Sequence, residues 1–569
     1  MWLRSGFENE VHALLTTLHA YVLRELLKTF ALTVVALTGL FTMGGGLYNV
    51  LRYEGVTTAD LIRVLPWLLP IVVTVTMPIA ALFATTITYG RFAADNEFTA
   101  CRAAGVNVHY LFLSAVLLSV FVALVTIFSA NFVIPDFVKR IDRYARSNLR
   151  DLAYTRLRQR GFIRYGQEGV DQYVLTAQGV DNVTDKALRD AGFEPQGGGL
   201  GYFWVDTPTF LWIDREGELV QFTLAQGGLC QFDTRQSDVK VTVYIQDARM
   251  YEVGRASIQV RDQVIGPITA PIPLPLKPSM VDLQTLVRWR RAPWEAPEIE
   301  ERVQRVHDGL RVLLFTQLAA RQLESGQPLE LQDERGRTCH IRAAGVTVDA
   351  SEIRLADVHA ELQDERQERP TRFSAPEARI TTRRAAGQPV LAELNLLATI
   401  DRFVEERGPL VRDSEPPRSK PSAAVERLRL PEAVEQDVQR FPAPVLLDPA
   451  TAAPADEALS RAIGKLRADA ERLARRVLAL IHFRLGFASS ALVTILMGAM
   501  LGVIFRGARV LGAFALACIP FGTVTILMLM GRSVTESRAG ETLGPLLIWG
   551  GLAAVGVADW LILRLGVRR

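Results

Sequence analysis

The sequence predicts an α-helical membrane protein with six transmembrane helices, arranged three and three, and an antiparallel β domain inserted between the two groups. Composition supports this fold class, because 49% of the residues are hydrophobic and the mean hydropathy is positive. The order of segments supports it as well. Three long apolar segments lie before residue 140 and three lie after residue 480, with a long polar region between them.

Six segments have the length and composition of membrane spans. About 20 apolar residues cross the roughly 30 Å hydrocarbon core, because each helical residue rises ~1.5 Å. The first span is too long for a signal peptide and no cleavage site follows it, so we expect it to be retained. In the sixth span only Asp559 interrupts the apolar run. The predicted spans cover residues 29–51, 64–90, 108–135, 485–505, 510–531 and 543–563.

The distribution of basic residues predicts the orientation in the membrane. An even number of spans places both termini on one side, and short cytoplasmic loops carry an excess of Lys and Arg. The side of the termini holds Arg4, Arg24, Lys28, Arg91, Arg102, Arg506, Arg509, Arg564, Arg568 and Arg569. The opposite short loops hold only Arg52, Arg63, Arg532 and Arg538. Both termini are therefore predicted to be cytoplasmic, and the β domain is predicted to lie on the other side.

The region between the spans has its own pattern. Short alternating runs such as Gln172–Thr176 predict antiparallel strands from about residue 160 to 290, and a second β block is expected from Leu329 to about Arg384. Apolar residues at helical spacing predict an amphipathic helix between these blocks. The predicted organisation is a membrane bundle over 1–140, a β domain over 141–405 with a helical insertion over 297–323, a linker rich in Pro, Ala and charge over 406–455, and a helix leading into the second bundle over 456–569.

Charge and motifs exclude several classes of function. Lys and Arg number 64 against 61 Asp and Glu, so no basic field indicates nucleic-acid binding. Leu466 follows Gly464 and Lys465, and the upstream glycine of a P-loop is missing. We find no HExxH or GxSxG motif and no Cys/His cluster, so no catalytic site, metal or cofactor is predicted. Cys230 and Cys339 share the β domain; free thiols are favoured, and pairing stays open.

The loop between the second and third spans is the most informative short segment. It reads Tyr-Gly-Arg-Phe-Ala-Ala-Asp-Asn-Glu-Phe-Thr-Ala-Cys-Arg-Ala-Ala-Gly over 89–105, and residues 90–105 are predicted to form a short helix at the membrane surface. Its charged residues are expected to face water, whereas Phe92 and Phe98 are expected to seat in a groove of a partner. A plain solvated connector is the alternative.

Several of these segments resemble the LptF/LptG (YjgP/YjgQ) family of lipopolysaccharide-export permeases. The resemblance rests on Met77–Leu82, on the 89–105 loop and on Asn131–Pro135 at the end of the third span. Tyr21–Phe30 and His482–Leu485 are also similar to the family, so that both bundles are covered. Two features depart from it: the β domain is larger than usual, and Leu547–Leu552 replaces the usual Trp-Leu-Pro-Asn-like ending of the sixth span.

The resemblance implies the permease subunit of an ABC transporter in the bacterial inner membrane. Such a subunit extracts lipopolysaccharide or a related lipid and passes it through a periplasmic β-jellyroll-like domain to a bridge protein. It is not itself an enzyme. The implied partners are a cytoplasmic LptB-like ABC ATPase, a sibling permease or a second copy of the chain, and an LptC/LptA-like periplasmic bridge. The alternative function is a non-transporting membrane sensor or scaffold with a periplasmic ligand-binding domain.

The resemblance also suggests site residues. The loop helix would couple to the ATPase, and basic residues at the outer membrane face would hold lipid phosphates during entry. Ordinary anchoring of helix ends at the interface is the alternative role for the basic residues. The coupling residues are Arg91, Asp95, Glu97, Arg102 and Gly105, and the substrate-binding residues are Arg52, Lys139, Arg140 and Arg143.

Overall fold

The structure is a computed structural model. It describes residues 2–46, 58–104, 106–165, 172–213, 218–235, 239–252, 258–269, 277–333, 336–349, 352–363, 371–383, 390–397, 404–407, 422–451, 456–505, 510–538 and 540–567. The chain divides into two compact units. The first unit comprises Met1–Gly266, Ala270–Arg291 and Arg472–Arg569, and the second comprises Pro267–Thr269 and Ala292–Glu471.

Six helices in the described residues are long and apolar enough to cross a membrane, which confirms the predicted number of spans and their arrangement as three and three. Their spans are Leu18–Gly44, Leu69–Ala94, His109–Ile141, Glu457–Ile504, Gly512–Glu536 and Leu543–Leu565. Apolar segments of this length become helices because hydrocarbon offers no hydrogen bonds to the backbone. The helices of the first unit up to the first strand are α1 (Trp2–Phe41), α2 (Thr58–Ala94), α3 (Glu97–Ala103), α4 (Val108–Leu111), α5 (Leu113–Phe128), α6 (Ile134–Ser147) and α7 (Leu149–Arg160).

The remaining helices are α8 (Asp185–Asp190), α9 (Leu283–Arg291), α10 (Pro297–Glu324), α11 (Glu432–Gln439), α12 (Ala443–Leu447), α13 (Glu457–Ile504), α14 (Val510–Glu536) and α15 (Leu543–Ile562). Small residues allow the membrane helices to approach closely. A Cβ added to Gly502 of α13 would lie 2.5 Å from the carbonyl oxygen of Thr86 on α2. A Cβ added to Gly531 would lie 2.7 Å from the carbonyl oxygen of Gly544, where α14 meets α15. Only glycine fits at such crossings.

The β domain of the first unit is an antiparallel sheet of nine strands among the described residues. The strands are β1 (Phe162–Tyr165), β2 (Gln172–Thr176), β3 (Gly179–Asp181), β4 (Leu200–Asp206), β5 (Thr209–Ile213), β6 (Leu219–Leu224), β7 (Gly227–Asp233), β8 (Lys240–Glu252) and β9 (Ile258–Thr269). Their order is β1-β2-β5-β6-β8-β7-β4-β3, and β9 pairs with β8. Two apolar clusters lie against this sheet. Leu157 of α7 packs with Phe203 and Val243 in the first, and Leu188 of α8 packs with Tyr202 and Leu229 in the second.

The second unit contains a sheet of seven strands in its described part. The strands are β10 (Leu329–Asp333), β11 (Thr338–Asp349), β12 (Glu352–Gln363), β13 (Thr371–Arg383), β14 (Leu391–Leu397), β15 (Val404–Arg407) and β16 (Ser422–Arg429). Their order is β12-β11-β10-β16-β14-β13-β15. Because β12 also pairs with β13, six of these strands close into a ring. Phe315, Ala319 and Leu323 of α10 belong to its apolar core.

The second unit differs from the predicted domain organisation. The helix expected over 297–323 is α10, but it belongs to the core of a separate unit and is not an insertion into a single β domain. The segment 406–455, expected to be a linker, contains β16, α11 and α12 in its described part. Its composition was misleading because a few apolar side chains, such as Val425 and Leu428, suffice when neighbouring strands supply the hydrogen bonds.

Candidate functional site

The predicted loop helix over 90–105 is divided in the structure. Residues up to Ala94 continue α2, and α3 begins only at Glu97. Between them Asn96 adopts a left-handed conformation (φ 60°, ψ 13°), which asparagine tolerates better than most residues. The backbone N–H of Asp95 donates to the carbonyl oxygen of Arg91 at 2.9 Å, and that of Val106 donates to Cys101 at 3.0 Å. Backbone hydrogen bonds thus tie both ends of the turn. Gly105 lies outside the described residues.

A buried aromatic cluster anchors α3 to the membrane helices. The ring of Phe98 lies 6.0 Å from Tyr89 of α2 and 6.1 Å from Phe112, which precedes α5. Tyr89 and Phe112 stack at 5.5 Å. The Tyr89 hydroxyl donates to the carbonyl oxygen of Leu111 at 2.8 Å and accepts from the backbone N–H of Ala115 at 3.2 Å. Phe98 of α3 therefore packs against both the second and the third span.

Both aromatic side chains of the loop differ from their predicted roles. Phe98 and Phe92 were expected to seat in a groove of a partner, but only 8% and 2% of their surfaces are exposed. Phe92 packs instead at 5.7 Å from Tyr21 of α1. Sequence alone could not separate these roles, because an aromatic residue beside a span packs equally well inward or outward.

The exposed surface of α3 is small and polar. Asp95, Thr99 and Arg102 face solvent, and Glu97, at the first helical position, is half-buried. Three alanines fill the space between these polar groups and allow close approach of another helix or strand: Ala100, Ala103 and Ala104. This face, defined by Asp95, Glu97, Thr99 and Arg102, is called the loop-helix face below.

Arg91 does not belong to the loop-helix face. Its Nη2 lies 2.9 Å from Oε1 of Glu25 on α1, and Oε2 of Glu25 lies 3.5 Å from Nζ of Lys28. The Arg91 side chain is half exposed, so this surface pair contributes little to stability. Its position nevertheless links α1 to the end of α2.

Two of the three described basic candidates at the opposite end of the third span have acidic neighbours. Lys139, Arg140 and Arg143 are all exposed on α6, and Arg140 pairs with Asp136 at 2.8 Å. Burial raises the pKa of Asp282, but hydrogen bonds from Thr285 and the charge of Lys139 outweigh it, so this pKa lies below its usual value. Arg143 only donates to the carbonyl oxygen of Lys139, at 3.4 Å. Arg52 lies outside the described residues.

Arg484 is a positioning residue that sequence reasoning did not single out. Its guanidinium donates to the carbonyl oxygens of Val281 and Ser279, both at 2.8 Å, and so ties α13 to the segment that leads into α9. Trp549 of α15 donates from Nε1 to Nδ1 of His482 at 3.2 Å. Arg484 and His482 both lie in the His482–Leu485 segment. The similarity of this segment to the LptF/LptG family was the one feature of the sequence that could have indicated their role.

The first sheet presents a half-buried aromatic face. Tyr173 of β2 lies opposite Trp212 of β5, and their rings stack at 6.3 Å. Phe210, two residues from Trp212, lies on the same face. All three side chains are only partly buried. The group Tyr173, Phe210 and Trp212 is called the aromatic face below.

The described residues contain neither a metal-binding cluster nor a disulfide. No group of three or more His, Cys, Asp or Glu side chains within them is arranged to hold a metal ion. Cys230 and Cys339 are free thiols, each in the core of a different sheet, and burial raises the pKa of each to about 12. They do not form the disulfide that the sequence left open.

Comparison with known families identifies the first bundle. Residues 20–191 match the family described as lipopolysaccharide export system permease LptF/LptG. The match spans α2 to α8 together with most of α1, and so includes the loop-helix face and the aromatic residue Tyr173. None of the curated proteins compared with the chain matches it. The match confirms the resemblance over residues 20–191 and supports an LptF/LptG family permease.

Proposed function

We propose that the chain is the permease subunit of an ABC transporter that extracts lipopolysaccharide or a related lipid from the inner membrane and passes it to a periplasmic β-jellyroll bridge. ATP hydrolysis belongs to a separate, LptB-like chain. The termini and α3 lie in the cytoplasm, and the β domain lies in the periplasm. A sibling permease or a second copy completes the membrane cavity. The observation that carries this proposal is α3, a small exposed helix fixed to two spans inside the region matched by the family.

The loop-helix face is the coupling surface in this proposal. Asp95 and Arg102 are exposed charges that can form charge-assisted hydrogen bonds with an ATPase, and Glu97 borders them. Phe98 connects this surface to Tyr89 and Phe112, so a displacement of α3 acts on the second and third spans together. Closely packed interiors transmit such displacements because they have little free volume.

The exposed basic residues of α6 are the proposed contact for lipid phosphates. Arg143 has no carboxylate within ion-pair distance among the described residues, whereas Arg140 would exchange Asp136 for a phosphate. Replacing Lys139, Arg140 and Arg143 together by glutamine is expected to lower lipid export at least tenfold while membrane insertion stays normal. The matched control replaces Arg156, Arg158 and Arg160 of α7. Unchanged export in the α6 variant would eliminate the phosphate contact.

The aromatic face of the first sheet is the proposed contact for acyl chains. Each CH₂ removed from water contributes about 0.8 kcal/mol, so a lipid leaving the bilayer needs continuous apolar cover. Tyr173, Phe210 and Trp212 retain exposed apolar surface, which supports this role.

Co-purification tests the transporter assignment directly. The tagged chain is purified in mild detergent and the bound proteins are identified for wild type, Glu97→Lys and Arg102→Glu. Asp190→Lys, an exposed charge reversal in α8, is the control. An ABC ATPase is expected with wild type and control, and is expected to be lost or reduced at least tenfold in the α3 variants. Absence of an ATPase from wild type under conditions that preserve the oligomer would contradict the assignment.

A further inference from the structure

One carboxylate in the membrane bundle has no described partner. Asp559 of α15 has only 7% of its surface exposed, and both of its carboxylate oxygens are inaccessible to solvent. No hydrogen-bond partner among the described residues reaches either oxygen. Val555 and Leu552 lie one and two turns earlier on the same buried side of the helix. Asp559 therefore points into the bundle and away from lipid.

The helices around Asp559 offer no cation. Gly551 of α15 faces Leu527 of α14, and Val555 shares an apolar cluster with Val524. The two helices run antiparallel, so positions further along α15 face positions earlier in α14. Asp559 therefore lies at about the level of Pro520. The membrane part of α14 carries no charged residue between Val510 and Gly531, and its one titratable group is the half-buried thiol of Cys518. A polar carboxyl group is thus surrounded on this side by apolar side chains.

The other neighbouring helices lead to the same result. Val493 of α13 faces Gly556, and α13 has no charged residue from Leu485 to its end at Ile504. Helix α2, whose Leu82 belongs to the same cluster, is uncharged from Val64 to Gly90. Just beyond the end of α15, the nearest charge along the chain is Arg564, whose guanidinium lies over the ring of Trp560 at 5.1 Å.

Helix α1 supplies the remaining charges near this end of α15. Ile562 and Leu563 pack against a cluster that includes Leu26 of α1. The charges beside Leu26 are Arg24, Glu25 and Lys28, and Glu25 is paired with both Lys28 and Arg91. No cation of the described residues forms a hydrogen bond with either carboxylate oxygen of Asp559.

The apolar surroundings of Asp559 restrict the kind of ion that its carboxyl group can bind. An ionised and unpaired carboxylate inside a low-dielectric bundle costs several kcal/mol, and such residues in membrane helices are commonly functional. Calcium and magnesium require about six oxygen ligands, and the described residues contain no carboxylate cluster that could supply them. A proton needs one carboxylate only.

We propose that Asp559 is a proton-binding site of the membrane bundle. It holds its proton while α13, α14 and α15 are packed as in this structure, and it releases the proton when these helices separate and water reaches the carboxyl group. The packed bundle then binds one proton more than the opened bundle. Rising pH therefore favours opening, and falling pH favours the packed arrangement. This site is independent of the proposed transport function.

Infrared spectroscopy of the full-length chain in nanodiscs tests the proton directly. At pH 8 the wild type is expected to show the C=O band of a protonated carboxyl group that exchanges slowly in D₂O. Asp559→Asn is expected to lose this band. Asp136→Asn, the same chemical change at an exposed residue, is expected to retain it. A wild-type spectrum without such a band, or a band that survives Asp559→Asn, would overturn the proposal.

The wild-type spectrum decides the question even if the Asn variant does not insert into the membrane. A second measurement follows the linkage to packing. Thermal unfolding of the wild type is expected to move to lower temperature as pH rises from 6 to 9, relative to Asp559→Asn. Parallel pH profiles for the two proteins would show that no proton is linked to the packing.

Discussion

The two sheets of this protein differ in how completely their apolar faces are covered. In the second unit, α10 places Phe315 and Ala319 in a core in which Leu329, Ile341 and Leu394 are fully buried. The core of the first sheet is centred on β4, β7 and β8, and Leu175 of β2 and Phe210 of β5 pack against its edge while remaining partly buried. Its β2 and β5 carry the aromatic face, which stays partly exposed.

This difference separates two roles for β structure. A ring of strands filled by its own helix has no room for a lipid without losing core contacts, because protein interiors are already close-packed. A partly covered aromatic surface can exchange water for acyl chains at little structural cost. We therefore place lipid contact on the first sheet and regard the second unit as a self-contained folded module.

The largest expected effect comes from truncating the helix that fills the second sheet. Phe315→Ala is expected to destabilise the second unit by about 3–5 kcal/mol, because it leaves a cavity at a fully buried position. Trp212→Ala, at a half-buried position, is expected to cost the first sheet roughly half as much. Alkylation of Cys339 and Cys230 in increasing denaturant reports on the two sheets separately, since each thiol is buried in one of them.

Cys230, which lies in the first sheet, is the internal control for the Phe315→Ala variant. Phe315→Ala is expected to lower the denaturant midpoint for Cys339 and to leave that for Cys230 unchanged. Equal shifts of both thiols would show that the two sheets unfold as one unit, against the division described above.

A smaller effect is expected at the ion pairs that hold α10 in the second unit. Arg311 donates to both carboxylate oxygens of Glu435, at 2.8 and 3.1 Å, and also pairs with Asp308 at 2.9 Å. Arg311→Met is expected to cost about 1–2 kcal/mol, because it removes a bidentate pair on a side chain that is 21% exposed.

Arg354 provides the matched control for Arg311. It pairs with Asp349 at 3.2 Å but is 55% exposed, so Arg354→Met is expected to cost less than about 0.5 kcal/mol. The Cys339 alkylation midpoint measures both variants. A larger shift for Arg354→Met than for Arg311→Met would contradict this ranking.

The smallest expected effect is a pH dependence in the first sheet. Hydrogen bonds from Arg235 hold the pKa of Asp233 below its usual value. Because the folded-state pKa is depressed, the stabilisation is present above the ordinary Asp pKa of about 4 and is lost as pH falls through the folded value. Calorimetry should therefore find wild type more stable than Asp233→Asn at pH 7, with the difference reduced at pH 3. A difference that stays constant would exclude this linkage, and Asp190→Asn is the control.

Much of the fold follows from local patterns in the sequence. Length and apolarity predicted the number and order of the six spans, because the bilayer imposes a minimum length on an apolar helix. The loop motif located α3 but not its inward-facing Phe98, since that orientation depends on Tyr89 and Phe112 from other segments. Composition also missed β16, whose position is set by pairing with β10 and β14. The features that local patterns missed are those fixed by contacts between distant residues.

We propose that lipid passes along the first sheet and not through the second unit. A photo-crosslinking amino acid at Trp212 is compared with the same group at Phe373, a half-buried aromatic residue of the second unit. In membranes that contain the ATPase, we expect a lipopolysaccharide adduct at position 212 that increases with ATP, and none at position 373. Absence of an adduct at 212, or equal adducts at both positions, would contradict the account.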